Sequence, residues 1–210
     1  MIPPERSRRY ALYWLLAFAV VTVGVLSGMV MRYDVAILHW AAAHRTPPLT
    51  EVMRFLSAIG EWYCEVPLAL VIAGVFWQRR RGGDAWRVVA LGVSTEAVYA
   101  IAKEIFRRPR PNVVTHLGKA GWYSYPSGHA MLALTIWGFC VWYLAELAPW
   151  RAVRRLLHIT AIVVPAAIAL SRLYLGVHYP SDVLGAFCLS SSWLLFCRAP
   201  GFWPRARPAP

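Results

Sequence analysis

Long apolar runs separated by short polar stretches are the main pattern along the chain. Six of the runs approach the length of about 20 residues that a helix needs to cross the hydrocarbon of a bilayer. They lie at positions 10–30, 62–78, 85–106, 126–147, 157–175 and 180–198. Two further stretches, 34–44 and 50–59, are too short to span, and Pro47 and Pro48 separate them. The pattern predicts an all-α, polytopic membrane protein with six transmembrane helices and short interfacial helices between the first and second.

The composition supports a membrane protein and excludes several other classes. The 210 residues are 59% hydrophobic and 15% charged, and the mean hydropathy is +0.46. An ordinary soluble domain is about 25% charged, so these few charges could not cover the surface of a water-soluble globule. A disordered chain is excluded because disordered segments are poor in hydrophobic residues. We expect a single membrane domain over residues 1–200 and a disordered cytoplasmic tail at 201–210, where Pro recurs.

The net charge of +12 comes from arginine clusters that lie between the apolar runs. The clusters are at 6–9, 79–81, 151–155 and 198–207. With six helices all four clusters fall on the same side, and the positive-inside rule places that side and both termini in the cytoplasm. This distribution argues against nucleic-acid binding, which needs a basic face on a soluble body. Together with the short loops it predicts a bacterial inner-membrane protein.

Polar residues concentrate at the outer ends of predicted helices three to six. The residues that could carry chemistry there are Lys103, Arg110, Ser127, Gly128, His129, Arg172, His178 and Asp182. The predicted topology brings all of them to one membrane face. Such a set of cations, histidines and backbone amides describes a pocket for a multiply charged anion, and phosphate is the natural candidate.

These residues fall into three ordered segments with fixed spacing. The segments are Lys103-x6-Arg110-Pro111, Pro126-Ser127-Gly128-His129 and Ser171-Arg172-x5-His178-x3-Asp182. They resemble the three-part signature of the type 2 phosphatidic acid phosphatase (PAP2) superfamily. Eleven positions agree in order, so chance agreement is negligible. The resemblance implies a six-helix membrane phosphatase whose active site faces away from the cytoplasm.

The physical chemistry of three residues supports this resemblance. A neutral His178 can attack phosphorus in line and form a phosphohistidine. Asp182 can accept the Nδ1 proton of His178 and stabilise the positive charge that develops. His129 is then the general acid that protonates the leaving group and the base that later activates water.

The remaining signature residues are expected to bind the phosphate. Lys103, Arg110 and Arg172 would hold its equatorial oxygens, and the backbone amides of Ser127 and Gly128 would bind oxygens at the start of the fourth helix. Because these groups neutralise the charge, no metal is required. No CxxC spacing or acidic cluster indicates a metal site, and no cofactor is expected.

Structural alternatives exist for each of these residues. A cation alone could be an interfacial anchor, Ser127 could be only a helix cap, and the His178–Asp182 pair could be only a structural hydrogen bond. Their joint occurrence favours a site. A solvated loop, or attraction for anionic lipid, is preferred for the cations and histidine between the third and fourth helices. These are Arg107, Arg108, His116 and Lys119.

Glu96 is a candidate accessory residue. It precedes Lys103 by seven residues, which places it about 10 Å deeper on roughly the same helix face. A carboxylate within the membrane is costly unless it is paired, which makes it a functional hypothesis by default. Pairing with Ser94 or Thr95, or protonation, would instead make it structural.

The predicted function is hydrolysis of a lipid phosphate or diphosphate at the outer leaflet. Resemblance to small bacterial members favours undecaprenyl diphosphate, followed by phosphatidylglycerophosphate and phosphatidate. A phosphotransferase with the same intermediate stays open. A non-catalytic lipid-phosphate binder or transporter is the alternative from another class, and the presence of His129, His178 and Asp182 argues against it. The expected partners are the lipid substrate and membrane lipids, with no obligate protein partner.

Overall fold

The computed structural model describes residues 4–198, and this part of the chain is helical with no strand. The helices are α1 (Pro4–Leu26), α2 (Met31–Ala43), α3 (Pro47–Ile59), α4 (Trp62–Gln78), α5 (Gly82–Phe106), α6 (Gly128–Ala145), α7 (Arg151–Tyr174) and α8 (Pro180–Arg198). The all-α prediction is confirmed, including the two short helices between the first and second long apolar runs. The predicted tail at 201–210 lies outside the described residues.

Helix length and composition give fewer membrane spans than the sequence pattern predicts. Among the described residues, α1, α6, α7 and α8 are long and apolar enough to cross a bilayer. Helices α3 and α4, bent by 50° at their junction, would make a fifth span if they act together. Alone, α4 has 17 residues and is about 26 Å long, which is shorter than a hydrocarbon core of about 30 Å. The chain is therefore a membrane protein with four or five candidate spans, and six spans stay a prediction.

The outward-facing surface is typical of a protein in lipid. Leu12, Leu16 and Val20 of α1 are exposed on a helix that is otherwise rich in apolar residues. Large aromatic rings are exposed close to helix ends, where Trp favours the membrane–water interface. Trp62, Trp77, Trp86 and Trp150 are each 71% exposed.

Helix α6 is packed against its neighbours α5, α7 and α8. Ala130 and Met131 at its start are buried with Ala169 of α7 and Ala186 of α8, and small side chains at such contacts let membrane helices approach closely. The middle of α6, Leu134–Cys140, is π-helical, which the apolar pattern did not predict. Helix α1 also packs along α8.

Two chain reversals bring the predicted site residues to one end of the bundle. Helix α5 ends where Arg107 takes a left-handed conformation with φ of 44°, and Pro109 follows. The loop 107–127 then folds back toward the turn between α7 and α8, and Leu117 N–H donates to the carbonyl of Leu175 at 2.9 Å. In that turn Gly176 has φ of +77°, and a Cβ there would lie 2.8 Å from Arg45 Nη2. Glycine is therefore required immediately before the segment that carries His178.

Candidate active site

One open cavity of about 410 Å³ lies where the end of α5, the start of α6, the end of α7 and the α7–α8 turn meet. Most of the residues predicted to form the site line it. They are Lys103, Arg110, Gly128, His129, Arg172, His178 and the candidate accessory residue Glu96. Ser127 and Asp182 are also at this end of the bundle, but both are fully buried behind the lining residues.

The geometry around His178 defines which ring nitrogen carries the proton. Its Nδ1 lies 3.2 Å from Asp182 Oδ2, and its Nε2 lies 3.1 Å from Arg110 Nη1. A guanidinium group can only donate, so Nε2 accepts and carries the lone pair, while Nδ1 donates to the carboxylate. Burial, followed by the positive charges of Arg110 and Arg172, lowers the pKa of His178 well below its ordinary value. His178 is therefore a neutral imidazole with its basic nitrogen at the cavity.

Asp182, in the first turn of α8, is held on both of its carboxylate oxygens. Oδ2 accepts the backbone N–H of Tyr179 at 2.8 Å as well as the His178 proton. Oδ1 accepts from Arg108 Nη1 at 2.6 Å. Each oxygen therefore has a defined donor, which fixes the plane of the carboxylate.

The predicted solvated position of Arg108 is wrong. Its side chain is only 7% exposed because it bridges the carboxylates of Asp182 and Asp34, at 2.6 and 2.8 Å. Burial alone would lower the pKa of Arg108, but Asp182 and Asp34 outweigh that effect and raise it. Arg107 and Lys119 of the same loop are exposed as predicted, and Lys119 borders the cavity.

His129, in the first turn of α6, lies beside a carboxylate that was not predicted. Its Nε2 is 3.2 Å from Glu61 Oε1. Glu61 is the residue at the α3–α4 bend, and its extended backbone there turns the side chain toward the cavity that it lines. The neighbouring His129 lowers the pKa of Glu61, so the carboxylate is ionised. Glu61 is therefore placed to orient His129 and to stabilise its charged form.

The three predicted phosphate-binding cations all bind the loop at 119–123. Arg110 donates to the carbonyls of Gly121 and Val177 at 2.6 and 2.7 Å. Arg172 donates to the carbonyl of Lys119 at 3.1 Å, and Lys103 donates to that of Tyr123. These contacts hold the cations against the cavity wall, so little side-chain entropy remains to be lost when an anion binds.

Arg172 has one buried donor without a partner among the described residues. Its Nη1 donates to Ser57 Oγ, and its Nε is buried with no hydrogen-bond partner among the described residues. An unsatisfied buried donor is costly. Arg172 itself lines the cavity.

Ser127 does not act as predicted through its backbone. Its N–H donates to the carbonyl of Asp182 at 3.1 Å, and its Oγ caps α6 by accepting from Ala130 N at 3.5 Å. The amide of Ser127 is therefore engaged within the protein and not directed at a phosphate. Gly128 does line the cavity, and a Cβ at that position would lie 3.1 Å from the ring of Tyr99.

Glu96 shares the cavity with Lys103, which confirms that the two residues lie on one face of α5. Its partner is neither Ser94 nor Thr95. Tyr99 Oη donates to Glu96 Oε1 at 2.6 Å, and Tyr99 also lines the cavity. The accessory role of Glu96 stays a prediction. Among the described residues, no group of three or more His, Cys, Asp or Glu side chains is arranged to hold a metal ion.

The comparison with known proteins decides the family. The model of the PAP2 superfamily matches residues 84–203, which contain all three signature segments. The chain belongs to the PAP2 superfamily. The predicted resemblance is thereby confirmed over more than half of the chain.

Relatives in the superfamily cover most of the chain. Phosphatidylglycerophosphatase B of Bacillus subtilis (strain 168) is 30% identical over 189 residues, which are 89% of this chain and 91% of that protein. Undecaprenyl-diphosphatase of Sulfolobus acidocaldarius is 27% identical over 194 residues, 88% of each chain. The crystal structure of the transmembrane PAP2 type phosphatidylglycerolphosphate phosphatase from Bacillus subtilis superposes with a TM-score of 0.80 at 28% identity, covering 89% of this chain and 94% of that one. The chain is a PAP2-type lipid phosphatase.

The sequence pattern did not reveal three charged residues that support the site. The pattern predicts an interfacial helix for Asp34 and a solvated loop for Arg108, and it gives no role to Glu61. The only local signal is that each is a charge close to apolar residues at the end of a helix or in a loop. Their partners are far away in sequence, so no spacing rule could connect them.

Proposed function

We propose that the protein hydrolyses a phosphate ester of a membrane lipid through a phosphohistidine formed on His178 Nε2. The observation that carries this proposal is the geometry of His178. The imidazole is neutral, its Nδ1 is engaged by Asp182, and its Nε2 faces a cavity lined by Lys103, Arg110 and Arg172. In the free protein the Nε2 lone pair accepts from Arg110, and it becomes available for in-line attack once a phosphate oxygen takes the Arg110 donor.

In the first step His178 Nε2 attacks phosphorus as the bond from phosphorus to the leaving oxygen breaks. His129 transfers a proton to that oxygen, so the lipid leaves as an alcohol, or as a phosphate if the substrate is a diphosphate. The positive charge that forms on His178 is stabilised by Asp182. Charge on the equatorial oxygens is neutralised by the three cations.

In the second step water replaces the histidine. His129, now neutral, takes a proton from water while the oxygen attacks phosphorus and the bond from phosphorus to His178 Nε2 breaks. Inorganic phosphate leaves, and both histidines return to their starting protonation states. Glu61 orients His129 in both steps through the 3.2 Å contact.

We also propose six spans in a single domain, formed by α1, α4, α5, α6, α7 and α8, in a bacterial inner membrane. The α4–α5 and α6–α7 connections both carry arginine clusters, at 79–81 and 151–155, and would be cytoplasmic with both termini. The loop 107–127 and the α7–α8 turn would lie outside. The cavity then opens at the outer leaflet.

Reporter fusions test this topology directly. A reporter fused after Arg81 or Arg155 should read cytoplasmic, and one inserted next to Lys119 should read external. An external reading after Arg81 together with a cytoplasmic reading at Lys119 would place the cavity on the inner leaflet. A reversed reading at one site alone would contradict the count of six spans.

Two lipid phosphates are the leading substrates. Phosphatidylglycerophosphate is supported by the 30% identical phosphatidylglycerophosphatase B, which covers 89% of this chain. Undecaprenyl diphosphate, the first choice from the sequence, is supported by the 27% identical undecaprenyl-diphosphatase. Both present a phosphate on a lipid tail, as a cavity at the outer leaflet would require.

Phosphate release by the purified protein tests the proposed reaction. The protein in detergent is given phosphatidylglycerophosphate, undecaprenyl diphosphate or phosphatidate, with EDTA present and with a glycerol acceptor in parallel. We expect inorganic phosphate from at least one lipid in EDTA, because the cations replace a metal. Transfer to glycerol without phosphate release would identify a phosphotransferase. No turnover of any lipid, or activity that needs an added divalent ion, would contradict the proposal.

A further inference from the structure

A buried ion pair lies behind the cavity and is not explained by phosphate binding. Arg108, from the loop after α5, and Asp34, from α2, are 2.8 Å apart with side chains only 7% and 3% exposed. Neither residue lines the cavity that holds the predicted site. Burying an ion pair carries a large desolvation cost, so such a pair is weak evidence for stability alone. Its neighbours indicate what else it does.

Arg108 connects Asp34 to the carboxylate that contacts the nucleophile. Its Nη1 donates to Asp182 Oδ1 at 2.6 Å and its Nη2 to Asp34 Oδ2 at 2.8 Å. The guanidinium also lies 4.1 Å from the ring centre of Tyr179, which precedes α8. These contacts fix a planar, two-pronged donor in one orientation.

Asp34 holds two groups in place: the guanidinium of Arg108 and the start of α8. Its Oδ1 accepts the backbone N–H of Ser181 at 2.9 Å, and its Oδ2 accepts Ser181 Oγ at 2.5 Å. A carboxylate at a helix N-terminus is favourable because it faces unpaired backbone donors. Asp34 thus ties α2 to the turn of α8 from which Asp182 projects.

We propose that Arg108, held in place by Asp34, is a positioning residue that sets the orientation of Asp182 and through it of His178. Asp182 has two oxygens: Oδ2 faces His178 Nδ1, and Oδ1 faces Arg108. If Arg108 is removed, Oδ1 loses its charged donor, and the contacts of Oδ2 with Tyr179 N–H and His178 hold the plane of the carboxylate less firmly. This inference rests on the proposed role of His178 as the nucleophile.

The proposal predicts a loss of turnover without a loss of substrate binding. Arg108→Gln should lower kcat by about 10–100-fold, the range typical when a residue that orients an active-site group is lost. KM should change by less than about threefold, because Arg108 does not reach the cavity. Arg107→Gln is the matched control: Arg107 is exposed and pairs with Glu104 at 3.2 Å, and its variant should match the parent.

A double-mutant cycle with Asp182→Asn separates positioning from a merely structural role. If Arg108 acts through Asp182, adding Arg108→Gln to Asp182→Asn should cost less than about threefold further in kcat. If the two effects multiply, Arg108 acts independently of Asp182 and the proposal is wrong. A folded Arg108→Gln protein with parental kcat, or with only KM changed, would also overturn it.

Two further variants keep the test decisive. If Arg108→Gln does not fold, the same cycle is run with Arg108→Lys, which keeps the charge but cannot bridge both carboxylates with a planar fork. The result expected is again a lower kcat that is absent in the Asp182→Asn background, and independent effects would again overturn the proposal. His178→Ala is measured alongside. Retained activity in that variant would refute the proposed nucleophile. If His178→Ala is inactive but the effects of the Arg108 and Asp182 substitutions multiply, only this inference is refuted.

Discussion

At the scale of single residues, the proposed chemistry depends on which nitrogens of two histidines carry protons. Asp182 and Arg110 together assign the proton of His178 to Nδ1 and leave Nε2 as the base at the cavity. The carboxylate of Glu61 lies beside His129, as that of Asp182 lies beside His178. Each histidine is thus paired with a different carboxylate, which suits one for attack and the other for proton transfer.

Asp182→Asn should lower kcat by roughly 10²–10⁴, as expected when the group that sets the tautomer of a histidine is lost. The change also removes one partner of the buried ion pair with Arg108, so the melting temperature should fall as well. Steady-state kinetics and a thermal melt in detergent check both points. Activity within about twofold of the parent would show that Asp182 does not orient His178.

Glu61→Gln should impair the reactions that need a proton donor. For a lipid alkyl phosphate we expect kcat to fall by about 10–100-fold, because general acid catalysis typically contributes 10²–10⁴. An aryl phosphate with an acidic leaving group should be affected much less. Glu51→Gln, which changes an exposed carboxylate paired with Arg54, is the control. An equal loss for both kinds of substrate would rule out a link from Glu61 to the leaving group.

The pH dependence of kcat/KM, which reports the pKa values of the free enzyme, should reflect the lowered pKa of His178. An ordinary imidazole has a pKa of about 6.5. Burial and the charge of Arg110 lower that of His178, so the reactive neutral form should persist as the pH falls through this value and be lost only well below it. A pH series at substrate concentrations below KM measures this acid limb. An acid limb at or above about 6.5 would contradict a neutral, cation-surrounded His178.

Signature residues and supporting residues differed in how far the sequence could predict them. Spacing along the chain predicted that His129, Arg172 and His178 would share one site, because helix ends on one side of a bundle must meet. It could not predict Glu61 or Arg108, whose partners are set by how the α3–α4 bend and the loop 107–127 fold. A charge in a polar segment looks solvated until its partner is known.

At the scale of helices, the site depends on where elements begin and end. The C-terminal end of α5 and the first turns of α6 and α8 bring charged and polar groups to one face, as the apolar pattern predicted. The π-helical segment Leu134–Cys140 was not predicted, since it shifts the backbone without changing the apolar character of the run. The role of Ser127 was also only partly predictable from the sequence. Its hydroxyl caps α6, as a local rule suggests, but its backbone N–H donates to the carbonyl of Asp182, which is distant in sequence.

Gly185 of α8 should be intolerant of a side chain because Tyr125 packs directly on it. A Cβ at Gly185 would lie 2.5 Å from Tyr125 Oη, and Tyr125 is fully buried with its hydroxyl 2.8 Å from Thr22 Oγ1. Gly185→Ala should therefore lower the free energy of unfolding by about 1–3 kcal/mol. Gly74→Ala in α4 is the control, because a Cβ there meets nothing within 4 Å. Thermal melts that rank the two variants equally would contradict this packing.

At the scale of the whole molecule, the bundle combines a lipid-facing exterior with a charged end. Large apolar side chains cover the outside of α1 and α7, as in Leu16 and Ile162. The charges proposed to bind phosphate are gathered at one end and paired with loop carbonyls or buried carboxylates. In the proposed topology this separation places the reaction beside the leaflet that supplies the lipid substrate.

Identification of the covalent intermediate tests the central claim most directly. The protein is mixed with substrate labelled on the transferred phosphate, quenched with alkaline detergent within the turnover time, and digested for peptide mapping. We expect an acid-labile phosphate on His178 that appears and decays with turnover and is absent from His178→Ala, which should be inactive but folded. Label on any other residue, or sustained turnover by His178→Ala, would contradict the account.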